Sequence, residues 1–74
     1  MKLFIDWVCS PDYSWGCQLT LIAHGGNWSP VYCRDYAVAY DSENAFPPED
    51  WEVDSFIKAV TEEYPGAEII NHIC

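Results

Sequence analysis

Pro48–Tyr64, PEDWEVDSFIKAVTEEY, has the strongest periodic pattern in the chain, because its apolar residues repeat with the spacing of one helical face. The repeating positions are Val53, Phe56, Ile57, Val60 and Tyr64. Pro48 suits a first helical turn, where no amide hydrogen bond is lost. Pro65 and Gly66 then end the pattern. The sequence therefore predicts one amphipathic helix over Pro48–Tyr64.

The helix also carries half of the acidic side chains, six of the twelve Asp and Glu residues in the chain. They are Glu49, Asp50, Glu52, Asp54, Glu62 and Glu63. The first of these place negative charge at the positive end of the helix dipole, which stabilises the start of the helix. The acidic helix is thus the main charged feature of the sequence.

The charge of the whole chain narrows the choice of partner. Three basic residues (Lys2, Arg34 and Lys58) against twelve acidic ones give a net charge of -9. Phosphate groups would be repelled, so direct binding of nucleic acid is not expected. A protein partner with a basic surface is the natural complement. The competing interpretation is that the charge serves solubility alone.

Length and composition predict a single domain over residues 1–74. Half of the residues are hydrophobic, which argues against a disordered chain in spite of the charge. The apolar start of the chain is interrupted by Asp6, too early for a signal peptide, and no apolar run is long enough to span a membrane. We therefore expect a cytoplasmic protein with reduced thiols.

Four segments have strand character. Residues 2–9 and 17–24 alternate apolar and mixed faces and predict an antiparallel hairpin around a loop over 10–16. Phe4, Asp6 and His24 fall on the mixed faces of that hairpin. The other two segments are residues 31–40 and 67–73.

Residues 31–40 allow a second interpretation. Their Val and aromatic content favours a strand, whereas Ser29 and Pro30 resemble the cap and first position of a helix. With the strand preferred, the fold is α+β: a small antiparallel sheet of three to four strands, with one amphipathic helix packed on one face, in the order ββ(β)αβ.

The cysteines leave three alternatives open. No pair has the C-x₂₋₄-C spacing of a structural zinc site, so buried thiols are preferred over a metal site. Cys9 and Cys17 could pair across the first hairpin. His24 and His72 could add metal ligands to Cys33 or Cys74, but nothing in the spacing indicates such a site. The residues concerned are Cys9, Cys17, Cys33, Cys74, His24 and His72. We predict no metal site and no cofactor.

No pattern of catalytic residues is present. Ser, His, Cys and Asp all occur, but none lies in a nucleophile elbow. Gly25 and Gly26 form a turn signal and not a phosphate-binding loop. We therefore expect a protein that is not an enzyme, with no catalytic residues.

An acidic segment with an aromatic residue in its middle is the candidate site. Trp51 falls on the side of the helix opposite Val53 and Phe56, where a large ring among carboxylates is typical of an interface anchor. The alternative is that Trp51 packs against Phe46 or Pro47. The predicted partner-binding residues are Asp41, Glu43, Glu49, Asp50, Trp51, Glu52, Asp54 and Glu62.

In size, charge and α+β pattern, the chain with its segment from Asp41-Ser42-Glu43 to Asp54 resembles the small acidic phage-encoded inhibitors known as DNA mimics. These include anti-CRISPR and anti-restriction proteins. The resemblance implies a stoichiometric inhibitor that occupies the basic DNA-binding channel of a CRISPR effector or restriction nuclease in the host cytosol.

A second hypothesis is a small interaction module, such as an antitoxin or an accessory subunit. Its contacts would be exposed aromatic side chains, and it would bind with weak salt dependence. The residues are Tyr13, Trp15, Tyr32, Tyr36 and Tyr40.

Overall fold

A computed structural model describes residues 1–13 and 16–73, which form one four-stranded sheet, a short 3₁₀ helix and one α-helix. The elements are β1 (Lys2–Tyr13), β2 (Gly16–His24), β3 (Pro30–Ala39), the 3₁₀ helix (Ser42–Asn44), α1 (Asp50–Glu63) and β4 (Glu68–Asn71). The predicted α+β fold with a single helix is confirmed. No helix in the described part of the chain is long and apolar enough to cross a membrane.

The sheet has the strand order β3-β2-β1-β4. The pairs β1–β2 and β2–β3 are antiparallel, as predicted, but β4 pairs with β1 in parallel, so the prediction of a fully antiparallel sheet is wrong at this edge. The reason is that α1 connects β3 to β4 and carries the chain back along the sheet. β4 therefore runs in the direction of β3, which is also the direction of β1.

The first hairpin is longer and its connection shorter than predicted. The prediction of a loop over 10–16 is wrong, because β1 continues to Tyr13, which pairs with Gly16. The register shifts between Ser10 and Tyr13, so an irregularity in the ladder accommodates Pro11, which has no amide hydrogen to donate. The turn-like residues thus mark a bulge and not the end of the strand. Trp15 lies outside the described residues.

Nine of the residues 31–40 lie in the strand Pro30–Ala39, so the preferred interpretation of this segment is confirmed. Pro30 is its first residue, a position where a strand tolerates the missing amide hydrogen. β3 lies at the edge of the sheet, and its pairing with β2 shifts register twice.

The helix begins two residues later than predicted, at Asp50. Pro48 is buried ahead of the helix, and Glu49 is the N-cap with extended backbone. The Glu49 amide donates to Oε2 of Glu52 at 3.1 Å, which holds the first turn closed. At the other end the Tyr64 amide donates to the Val60 carbonyl at 2.8 Å, as expected for a helix that stops before Pro65.

α1 packs on one face of the sheet and buries its apolar stripe there. The cluster consists of Leu3, Ile5, Leu21, Ala23, Val53, Phe56 and Val60. Phe56 has no exposed surface and is the largest fully buried side chain. Burial of a side chain of this size contributes about 1.5–3 kcal/mol, so the stripe fixes α1 on the sheet and holds its opposite side toward solvent.

Candidate partner-binding surface

The predicted site residues divide into two groups in the structure. Five carboxylates are exposed: Glu43, Glu49, Asp50, Asp54 and Glu62. Asp41 and Glu52 are half-buried. Glu49, Asp50 and Asp54 lie at the start of α1, and Glu62 lies three turns further along the helix. Glu43 lies in the 3₁₀ helix.

The two half-buried carboxylates hold local structure. Oδ1 of Asp41 accepts hydrogen bonds from the amide of Asn44 at 2.9 Å and from its side-chain Nδ2 at 2.8 Å, which closes the 3₁₀ helix. Oε2 of Glu52 accepts from the Glu49 amide. The sequence alone placed Asp41 and Glu52 among the binding residues, because a carboxylate that caps a helix and one that is exposed for binding are the same residue type.

Trp51 is 68% exposed and lies on the side of α1 away from the core. It has no hydrogen bond or stacked ring among residues 1–13 and 16–73. Phe46, one candidate for covering it, contacts Tyr36 instead, edge-on with ring centroids 6.3 Å apart. Trp51 therefore presents an open indole ring beside the carboxylates of the first turn.

Two of the three basic residues make other contacts, and the third, Lys58, lies on α1 one turn after Asp54. Lys2 pairs with Glu68 at 3.9 Å. Arg34 donates to Oγ of Ser55 at 3.2 Å and lies 5.9 Å from the centroid of the Phe56 ring. In the described part of the chain no ion pair involves a carboxylate at the start of α1.

Two of the five aromatic residues of the second hypothesis, Tyr32 and Tyr36, are engaged in contacts within the fold. The Tyr32 ring packs 5.7 Å from Phe56, and the Tyr36 hydroxyl donates to the Phe46 carbonyl at 2.6 Å. Burial, with a smaller contribution from the charge of Glu52, raises the pKa of Tyr36 to about 12. Tyr40 is 83% exposed. Tyr13 ends β1, and Trp15 lies outside the described residues.

A second polar cluster, which the sequence analysis did not predict, lies on the sheet face opposite α1. Oδ2 of Asp6 is 2.6 Å from Nε2 of His24 and 3.2 Å from Nδ1 of His72. His24 is 2% exposed. Alternation placed Asp6 and His24 on the same kind of face, but only the strand register brings them together, and His72 is 66 residues from Asp6.

The histidines of this cluster belong to a row of four neighbouring rings, with two stacked contacts and one tilted contact. Trp28 lies 4.6 Å from His24, Phe4 lies 5.6 Å from His24, and Phe4 lies 4.9 Å from His72. Trp28 has a positive φ of 64°, which is uncommon for a residue with a side chain. The carboxylate of Asp6 and the amide of Gly26 hydrogen-bond the two ring nitrogens of the buried His24.

The cysteines are separated in the structure. Cys9 lies opposite Leu19, and Cys17 lies opposite Ala39, so Cys9 and Cys17 are not cross-strand neighbours. Cys17 is buried, and Cys33 is exposed. Within residues 1–13 and 16–73, no three His, Cys, Asp or Glu side chains are arranged to hold a metal ion. Cys74 lies outside the described residues.

The open ring of Trp51 and the exposed carboxylates beside it are suited to contacts with a basic protein surface, because charge steers the encounter and a buried ring anchors it. Comparison of the chain with known protein families, with curated proteins and with solved structures finds no match.

Proposed function

We propose that this protein is a non-catalytic inhibitor that binds a basic nucleic-acid-binding surface of another protein and takes the place of DNA there. A CRISPR effector or a restriction nuclease is the proposed target. The observation that carries the proposal is the group of exposed carboxylates around the exposed Trp51 at the start of α1, which make no ion pair with the described residues.

The rigidity of this surface supports the proposal. Asp50 and Asp54 lie one turn apart on a helix that is fixed to the sheet by Phe56, so their separation along the axis is set at about 6 Å. Anions that are held in place before binding lose little conformational freedom when they meet a cationic groove. A flexible acidic tail of the same charge would lose more.

The net charge of -9 supports the same partner class. Charge of this size accelerates the encounter with a basic surface and repels nucleic acid, with the effect falling as salt screens it. Trp51 supplies apolar area that becomes buried in the complex, which adds affinity that salt does not remove.

The proposal is tested by capture from a bacterial lysate at low and high salt, with mass spectrometry of the bound proteins. Each captured protein is then challenged with a DNA duplex. We expect the partner to be retained at low salt, released at high salt and displaced by the duplex, because DNA and this protein share one site.

A matched pair of variants locates the surface. The double variant Asp50→Lys and Asp54→Lys and the control Glu63→Lys and Glu68→Lys each change the net charge by +4, from -9 to -5. We expect the first to abolish capture and the second to weaken it only slightly. Equal effects would show that total charge, and not this surface, governs binding.

An interaction module, such as an antitoxin or accessory subunit, is the second candidate, and the exposure of Tyr40 favours it. In that case capture persists at high salt, DNA does not compete, and Tyr40→Ala reduces binding more than the Asp50 and Asp54 reversals do.

A further inference from the structure

A cleft of about 210 Å³ opens between β3 and α1, next to Trp51. Its floor reaches Leu21 in the core, and its walls combine aromatic and charged side chains. The lining residues are Leu21, Arg34, Asp35, Tyr36, Trp51, Glu52 and Ser55.

We propose that this cleft receives an arginine side chain of the basic partner, with the guanidinium stacked on Trp51 and paired with Glu52 and Asp35. The inference rests on the proposed function and specifies which side chain of the partner is recognised.

The indole ring of Trp51 is the first reason for this choice. A cation held over an indole face is attracted by the ring's quadrupole, and Trp is the strongest of the aromatic partners. Trp51 is 68% exposed, so the ring is accessible from the cleft. A planar guanidinium stacks on such a face, whereas a lysine ammonium is more strongly hydrated and has no plane.

The two carboxylates are the second reason. Oε2 of Glu52 accepts from the Glu49 amide at 3.1 Å, and Oδ1 of Asp35 accepts from the Thr20 hydroxyl at 2.9 Å. One oxygen of each carboxylate therefore accepts a hydrogen bond that fixes the side chain. The other oxygen accepts none from the described part of the chain. This arrangement presents acceptors already in place for the N–H groups of a guanidinium.

The charges within the cleft remain favourable to a cation. Arg34 contributes +1, but its guanidinium donates to Ser55 and lies against the Phe56 ring. With Asp35 and Glu52 at -1 each, the three charged side chains sum to -1. The incoming cation is thus attracted on balance, and more strongly because Asp50 and Asp54 lie on the adjoining surface of α1.

Tyr36 closes the cleft as a neutral wall. Its hydroxyl is committed to the Phe46 carbonyl. Desolvation is the main reason that its pKa is raised to about 12, and the negative charge of Glu52 is the second.

The test is a titration of the full chain with N-acetylarginine amide, followed through the Trp51 indole N–H and the backbone amides by NMR. N-acetyllysine amide is the matched probe of equal charge. We expect saturable shifts centred on Trp51 and Ser55, with arginine binding at least about threefold more tightly than lysine. Equal affinity for the two probes, or shifts centred on Glu43 and Asp50, would overturn the inference.

Two variants separate the contributions of Trp51 and Glu52 to binding of the arginine probe. Trp51→Ala should weaken the arginine probe by about fivefold or more, whereas Tyr40→Ala, at an exposed aromatic outside the cleft, should leave it unchanged. Glu52→Gln keeps an acceptor for the Glu49 amide and removes the charge, so it should weaken arginine binding without unfolding the helix start. Undiminished binding in both Trp51→Ala and Glu52→Gln would also refute the inference.

Failure here is distinguishable from failure of the proposed function. If the arginine probe does not bind the cleft but the double variant Asp50→Lys and Asp54→Lys still abolishes capture, only the cleft inference is refuted. If the probe binds as expected but DNA does not displace the captured partner, the DNA-mimic proposal falls and the arginine site stands.

Discussion

Nε2 of His24 lies 2.6 Å from Oδ2 of Asp6, on an imidazole that is 2% exposed. The amide of Gly26 donates to Nδ1 of the same ring at 3.1 Å. Because Nδ1 accepts this hydrogen bond, Nδ1 carries no proton. The ring proton is therefore on Nε2, which donates to Asp6. The two contacts therefore assign His24 as a neutral ring with a single tautomer.

Asp6→Ala should destabilise the fold, because the buried Nε2–H would lose its acceptor. The cost of an unsatisfied buried donor is about 1–3 kcal/mol. In a domain of this size that corresponds to a fall in melting temperature of roughly 4–8 °C per kcal/mol. Thermal unfolding followed by circular dichroism measures it. Asp6→Asn, which keeps an acceptor oxygen, should lose less, and an Asp6→Ala variant as stable as the wild type would contradict the assignment.

The free energy of unfolding should fall as pH rises from about 10 toward 12. The reason is that the pKa of Tyr36 is about 12 in the folded protein, against 10.0 for an unperturbed tyrosine. Below pH 10 both states are protonated and the contribution is complete. Above it the unfolded chain releases the proton first, which favours unfolding. Ionisation also removes the hydrogen bond to the Phe46 carbonyl.

The measurement is denaturant unfolding across this pH range in the wild type and in Tyr36→Phe. The variant should show a shallower decline, and the absorbance of tyrosinate should show one late-titrating group fewer. Parallel declines in the two proteins would count against the raised pKa.

Gly16 and Gly25 should respond oppositely to alanine. A Cβ at Gly16 would lie 2.5 Å from the backbone oxygen of Ala39, so β2 and β3 must separate, at about 1–3 kcal/mol. A Cβ at Gly25 meets nothing within 4 Å, so Gly25→Ala should be neutral or stabilising by about 0.4–1 kcal/mol through the unfolded state. Chemical denaturation of both variants tests this, and a tolerated Gly16→Ala would mean that the close approach is relieved cheaply.

Cys33 should react with iodoacetamide in the native protein at least about tenfold faster than Cys17, because Cys33 is exposed and Cys17 is buried. Mass spectrometry of peptides after brief labelling gives both rates, and labelling in denaturant should make them equal. A disulfide between Cys9 and Cys17 in freshly purified protein would instead contradict the register that places Cys9 opposite Leu19.

Three expectations from the sequence differ from the structure: the end of β1, the direction of β4 and the start of α1. Ser10, Pro11 and Asp12 have turn chemistry, yet β1 runs through them because pairing with β2 outweighs local preference. The parallel edge was missed for a similar reason: residues 67–73 show strand character but carry no signal of direction. The start of the helix was placed at Pro48 because that proline suits a first turn, whereas the hydrogen bond between Glu49 and Glu52 places it at Asp50.

The amphipathic helix, the β-rich first half and the acidic start of α1 can be inferred from the residues alone. These features follow from periodicity and composition, which act over a few neighbouring residues. Which carboxylates make hydrogen bonds within the fold depends on the folded chain, because Asp41 and Glu52 are engaged by caps while Asp50 and Asp54 have no such hydrogen bond among the described residues. The tertiary structure alone also joined Asp6 to His24 and His72, since strand register sets contacts between residues 18 and 66 positions apart.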